Sequence, residues 1–217
     1  MDNDTLGLYG PEDSKYLRLV ARRAEEKGIK TAWVAGPTPG CVAYVADTDA
    51  GWPLWDLSPE EDVDNIQHPG LSCCAAGFLP DIKVMLPSIG GAHGRLCVIG
   101  RGHAVQGLAE AVAADGYAVD QCSSTALDMD YRVGRADIVV SSARYVSEEV
   151  LEEIRKKTVV FDVGGGMERL EARLLGYVPK WVIGGWNIAE LLRRVRMRIE
   201  EEREADGRKE GRGADGV

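Results

Sequence analysis

The chain has 217 residues, 45% of them hydrophobic, 28% charged and 6% aromatic, a globular composition that excludes a collagenous, low-complexity or wholly disordered protein. At this length about 70% of the surface exposed by the unfolded chain can be buried, enough for one substantial core or two small ones. Against 35 Asp and Glu stand 26 Lys and Arg, a net charge of −9, so the molecule repels polyanions and neither nucleic acid nor an anionic membrane surface is expected as a partner.

Most of the imbalance lies in front: residues 1–90 hold 14 acids and 7 bases, residues 91–217 hold 21 and 19. The opening residues, Met1-Asp2-Asn3-Asp4, lead into no apolar run of the kind a secretory signal has. The uncharged stretches 31–46 and 65–80 are broken by Gly, Pro and polar residues, so neither reads as a membrane helix. Cysteines at 41, 73, 74, 97 and 122 are odd in number and lack paired ligand spacing, which points away from a disulfide framework or a metal site and toward a reducing cytoplasm.

In chain order, residues 14–27 carry apolar groups at 16, 17, 19, 20, 21 and 24 with Gly28 as a stop, which predicts an amphipathic helix. Lys30 to Val34 reads as a short strand, and 35–90 is rich in Gly and Pro with little periodicity. From residue 95 apolar runs alternate with helical stretches, the pattern of a parallel sheet with crossover helices. Strands are predicted at 95–100, 117–122, 137–142, 158–163 and 180–183, with helices at 104–115, 127–134 and 147–156. A last helix is predicted to start after Asn187, with Glu190 completing a capping box. This divides the chain into a small front α/β domain (1–90), a Rossmann-like parallel-sheet domain with a C-terminal helix (91–205), and a frayed polar, glycine-containing tail (206–217).

Gly100-Arg101-Gly102 follows the first strand of the second half and opens a helix. In that context Gly100 permits a tight turn, Gly102 lets the backbone approach a pyrophosphate, and the helix N-terminus holds the phosphate charge. The third glycine, Gly107, stands seven positions after Gly100 instead of five. Asp120, 20 residues after Gly100, either binds the ribose diol of NAD or points into the sheet. Arg101 and Ser123 instead suit the 2′-phosphate of NADP, which is preferred, with NAD as the alternative. Gly164-Gly165 and Gly184-Gly185, each placed after a strand, either admit the nicotinamide and substrate or serve as tight turns.

With those residues read, residues 95–192 resemble the nucleotide domain of the bifunctional methylenetetrahydrofolate dehydrogenase/cyclohydrolase (FolD-type) family. The likeness rests on Val98-Ile99-Gly100-Arg101, Ser123 with Thr125, Arg135-Ala136-Asp137-Ile138-Val139-Val140, Val159-Val160-Phe161-Asp162-Val163-Gly164, and Gly184-Gly185 ahead of Ala189-Glu190-Leu191-Leu192. In front, Ser14 and Tyr16 ahead of Ala24-Glu25-Glu26-Lys27-Gly28-Ile29 resemble the family's first active-site helix, and Pro59-Glu60-Glu61-Asp62-Val63-Asp64 is similar to its Pro-x-Lys-Asp-Val-Asp-Gly. The resemblance implies a cytoplasmic homodimer, an NADP cofactor and a tetrahydrofolate derivative as substrate. It makes Asp64 and Tyr16 the candidate catalytic and substrate-binding residues, and Gly184 and Gly185 further substrate contacts.

The departures are as informative. Val20 stands where the family has its catalytic lysine, and the front domain is shortened. Hydride transfer needs chiefly two aligned carbons and does not require that lysine. Hydrolysis of the methenyl group does need proton transfer, typically about 10²–10⁴-fold in rate, so cyclohydrolase activity is expected weak or lost. A repurposed NAD(P)-dependent oxidoreductase on a non-folate substrate, or a non-catalytic nucleotide- or folate-binding protein, are the alternative readings.

Overall fold

The computed structural model describes residues 4–47 and 55–213. The chain forms two compact units, one of residues up to Pro69 together with those from Ile188 onward, the other Gly70–Asn187. Both are α/β.

In the first unit, β1 (Thr5–Tyr9), α1 (Lys15–Glu25), β2 (Lys30–Val34) and β3 (Cys41–Ala46) build a three-stranded parallel sheet in the order β2-β1-β3. The helix α1 and the edge strand β2 are where the periodicity and the Lys30–Val34 run place them. Ser14 caps α1 by accepting the amide of Leu17 and donates its own hydroxyl to Asp47 at 2.5 Å. Leu17, Val20 and Ala24, spaced to share one helical face, are completely buried. The strand β1 is interrupted as a pattern by Gly7, which nevertheless has a steric reason: a Cβ there would lie 2.4 Å from the ring of Tyr44, its partner on β3.

The second unit is a five-stranded parallel sheet, order β5-β4-β6-β7-β8, from β4 (Arg95–Ile99), β5 (Ala118–Cys122), β6 (Ile138–Ser141), β7 (Val159–Asp162) and β8 (Gly176–Val178). Alternation along the strands fills two layers. On one face Leu96, Val98, Ile138, Val140 and Phe161 meet Phe78, Ile82 and Leu86 of α2 (Cys73–Gly90) and Leu108 and Val112 of α3 (Leu108–Ala113). On the other, Cys97, Ile99, Val139 and Val160 meet α4 (Met129–Arg135) and α5 (Glu148–Glu153). This is the expected Rossmann-like layer order, with helices covering both faces.

Several boundaries differ from the sequence reading, each for a packing reason. Helix α2 contains Pro80 and Pro87, each of which removes a helical hydrogen bond. Burial of Phe78, Ile82 and Leu86, worth roughly 1.5–3 kcal/mol per side chain, offsets that cost and places α2 with the second unit, so the division falls at 69/70 instead of 90/91. By length and composition alone α2 could cross a membrane, yet its largest apolar residues belong to this core. The predicted strand at 180–183 is the start of a helix: the edge strand is β8, starting four residues earlier, and α6 (Lys180–Gly213) begins directly after Pro179. Ile183 and Trp186, one turn apart, pack on the core, and Gly77 lets α2 come close to the backbone of Trp186. Asn187 is therefore inside α6 and caps nothing, and from Ile188 the helix belongs to the first unit. The helix also runs through 206–213, where a frayed tail was expected; residues 214–217 lie outside the described residues.

Replacing Gly7 with Ala is expected to lower stability by about 1–3 kcal/mol, since the buried Tyr44 ring has nowhere to move. An unchanged urea midpoint for that variant would contradict the packing described.

Candidate nucleotide and substrate sites

Reversal of strand order between β4 and β6 creates a crevice at the C-terminal sheet edge, where open parallel sheets bind ligands. Gly100 stands at its mouth with φ 103°, and a Cβ there would lie 2.1 Å from the hydroxyl of Ser142, which follows β6. Ser142 is held by its amide and its hydroxyl, both donating to the carbonyl of Ile99. Gly100 therefore has to be glycine for the protein's own packing. Gly102 is different: nothing but the Ser142 hydroxyl, 3.9 Å away, comes near its side-chain position. Arg101 and Gly102 are exposed, and among the described residues Arg101 has no ion-pair partner.

The helix expected at 104–115 is in two pieces, a 3-10 turn at His103–Val105 and then α3. Gly107 breaks it with φ 74°, and a Cβ there would meet the carbonyl of Gly70 at 2.7 Å. The third glycine of the pattern thus serves packing against the chain entering α2, and the turn after β4 does not run straight into a long helix.

Ser123 follows β5 at the same edge, exposed, with its hydroxyl 3.3 Å from that of Thr125. Asp120 lies mid-strand opposite Cys97 and points into a cluster of arginines, 3.1 Å from both Arg95 and Arg135. Its carboxylate is thereby committed within the protein.

After β7, the side chain of Asp162 is fully buried and organises the glycine run. One oxygen accepts the amides of Gly165 and Gly166, the other the amide of Met167 and the hydroxyl of Tyr177 at 2.7 Å. A Cβ on Gly164 would fall 2.2 Å from the carbonyl of Ala143, so Gly164 is a close-packing residue, while Gly165, at φ 80°, has only ordinary contacts near it. Gly184 and Gly185 were expected in a turn after a strand. They lie inside α6, with nothing within 4 Å of their side-chain positions.

The sheet edge thus collects Gly100, Arg101, Gly102, Ser123, Gly164 and Gly165, while Gly184 and Gly185 lie in the second turn of α6, which begins just after β8. Ser142, Asp162 and Tyr177 join that edge without having been foreseen. A serine pair ending an apolar strand and an acid two positions before a glycine run were the available signals.

The first unit holds the other candidates. Tyr16 is half-buried on α1, one turn before Val20, which is fully buried in the core. Asp64 is 4% exposed, in the loop that follows β3. Next to it Asn65 takes φ 54°, the left-handed conformation suited to the glycine of the family pattern. Arg194 of α6 donates to the carbonyl of Val63 at 2.9 Å and is paired with Glu190. Hydrogen bonding from Arg193, and then Arg194, holds the Glu190 carboxyl below its ordinary value against the opposing effect of burial.

No family model matches the sequence, and no curated relative matches it. Solved structures do. A bifunctional FolD methylenetetrahydrofolate dehydrogenase/cyclohydrolase from Campylobacter jejuni is 17% identical with a TM-score of 0.69, covering 92% of this chain and 89% of that one. The enzyme of Trypanosoma brucei, complexed with NADP cofactor and inhibitor, is 20% identical with a TM-score of 0.71 over 91% and 86%. A 5,10-methylenetetrahydrofolate dehydrogenase from the silkworm Bombyx mori is 14% identical, TM-score 0.70, over 93% and 89%. The chain shares the FolD-type fold.

Burial, and after it the hydrogen bond to Asp162, push the phenol of Tyr177 above the usual tyrosine value. Above about pH 10 an unfolded tyrosine ionises while this one resists, so stability falls as pH rises through that range. Tyr177→Phe should flatten that decline in urea melts and cost about 1 kcal/mol at neutral pH; an unaltered alkaline limb would show that the hydroxyl is not held as described.

Proposed function

We propose that this protein is an NADP-dependent oxidoreductase acting on 5,10-methylenetetrahydrofolate, with cyclohydrolase activity weak or lost. The observation that carries the reading is the turn at the switch point of the sheet: Gly102 leaves room for backbone to approach a pyrophosphate, and the exposed Arg101, with no ion-pair partner among the described residues, stands beside it. Preference for NADP over NAD is supported by Asp120, whose engagement with Arg95 and Arg135 leaves it unsuited to a ribose diol. Arg101 can instead fork onto a 2′-phosphate, with Ser123 as a second donor. The residues thus fit the coenzyme, which when bound accepts a hydride from the substrate.

The chain's own work is positioning. Asp64 accepts from the amide and amino donors of a pterin-like ring, and Tyr16 lines the substrate site. Gly165 has only ordinary contacts at its side-chain position, and Gly184 and Gly185, with nothing within 4 Å of theirs, are kept in this reading as substrate contacts presented by α6 instead of by a turn. Loss of the hydrolytic activity is supported by Val20: an apolar side chain with no solvent exposure stands at the position of the proton-transferring lysine. The same burial, together with the early start of α6, favours a second reading, an NAD(P)-dependent oxidoreductase with a non-folate substrate. A cytoplasmic homodimer completes the proposal.

Reduction of NADP on addition of methylenetetrahydrofolate tests the first reading, and reduction seen only with other substrates favours the second. Arg101→Ala is expected to weaken NADP binding by roughly tenfold or more while leaving NAD nearly unaffected; equal losses for both coenzymes would place the guanidinium elsewhere. Hydrolysis of methenyltetrahydrofolate should stay close to the uncatalysed rate, and fast hydrolysis would contradict the part assigned to Val20.

A further inference from the structure

Asp62 is the most thoroughly buried acid among the described residues of the front unit, 1% exposed, in a loop where Asp64 is buried too but Glu60 and Glu61 reach solvent. Taking a carboxylate out of water is costly unless donors replace the water. Asp62 has four. Its Oδ1 accepts the amide of Ile66 at 2.6 Å, and its Oδ2 accepts the amides of Gln67 and His68 at 2.8 and 2.9 Å and lies 2.9 Å from Nδ1 of the His68 ring. Such an arrangement is more than a solvated acidic loop needs.

Its consequence falls on the residue in the middle. Upstream of Asp64 the chain is tied to β3, where Tyr44 donates its amide to the carbonyl of Glu61, and to α6, where Arg194 donates to Val63. Downstream, the amide of Asn65 donates to the carbonyl of Asp62, Asn65 takes its left-handed turn, and the three amides at 66–68 are gathered on the Asp62 carboxylate. The backbone is thus held on both sides of Asp64; downstream, the Asp62 carboxylate gathers three successive amides, and the Gln67 side chain adds a tie to residues 55–57 by accepting the amide of Leu57 and donating to the carbonyl of Trp55.

We infer that Asp62, with His68 as its side-chain donor, is the positioning pair for Asp64: it sets the direction of the carboxylate that recognises the donor edge of the substrate ring. This rests on the substrate role of Asp64 proposed above. Asp62 itself, with its acceptors filled from within the loop, does not touch substrate. His68 contributes through its Nδ1 proton, which an asparagine amide can imitate and an alanine cannot.

The experiment compares Asp62→Asn, His68→Ala and His68→Asn with the native protein by steady-state kinetics, NADP titration and hydrogen exchange of the amides at 66–68. In Asp62→Asn the KM for methylenetetrahydrofolate should rise roughly tenfold or more with kcat within about threefold, since an interaction that places the bound ring is lost and the hydride step is not. The Kd for NADP should not change, and the three amides should exchange faster. His68→Ala should raise KM by roughly three- to tenfold, and His68→Asn should restore most of it. Faster amide exchange with an unchanged KM would overturn the inference, as would a His68→Asn protein no better than His68→Ala; the histidine pair keeps the test decisive if Asp62→Asn does not fold. Failure of the native protein to turn over methylenetetrahydrofolate is a separate result: it removes the substrate role of Asp64 and this inference with it, whereas native turnover with indifferent variants removes the positioning alone.

Discussion

A carboxylate taken out of water must be given hydrogen-bond donors, and two of the loops bearing candidate residues are built around that requirement. In the second unit Asp162 gathers the amides of Gly165, Gly166 and Met167 and the hydroxyl of Tyr177. In the first unit Asp62 gathers those of Ile66, Gln67 and His68 with the His68 ring. Each is a short acid that draws a run of successive backbone amides onto its oxygens and adds one side-chain donor. A segment without regular secondary structure is thereby held about as firmly as a strand, because charge-assisted hydrogen bonds are roughly twice as strong as neutral ones.

The glycines around the crevice show two uses of the same residue. Gly100 and Gly164 are small because the protein's own atoms, the Ser142 hydroxyl and the Ala143 carbonyl, occupy the space a side chain would need. Gly102 and Gly165 have no such neighbour and present open backbone. Only the second kind leaves its side-chain position open, and one of the two, Gly102, stands beside Arg101 at the point where the strand order reverses. The first kind fixes where that opening is, by locking the ends of β4, β6 and β7 together.

Much of this was legible in the chain. Runs such as Leu96-Cys97-Val98-Ile99 and Ile138-Val139-Val140 are apolar on both faces, which only a sheet covered on both sides tolerates, and the glycine turn after the first of them marked the ligand edge. What escaped was decided by neighbours distant in sequence. Two prolines and an apolar circumference hide α2, whose helical state depends on Phe78, Ile82 and Leu86 finding the sheet. Trp181-Val182-Ile183 has strand composition but is helical, because Ile183 and Trp186 pack on the core at helical spacing while Trp181 stays exposed. Gly184 and Gly185, expected in a turn after that strand, are helical for the same reason.

Local pattern by itself determined the class of the protein: alternating apolar runs and amphipathic stretches require a parallel sheet between helices, and the position of the glycine turn follows from strand order alone. Which acids are spent on the protein's own donors was decided only by the tertiary structure. Asp62, Asp64, Asp120 and Asp162 are alike as letters, and their roles diverge because a carboxylate's function is set by the donors that surround it. Those donors come from backbone turned back on itself, from the guanidinium groups of Arg95 and Arg135, and from the phenol of Tyr177, none of which the order of residues places beside the acid.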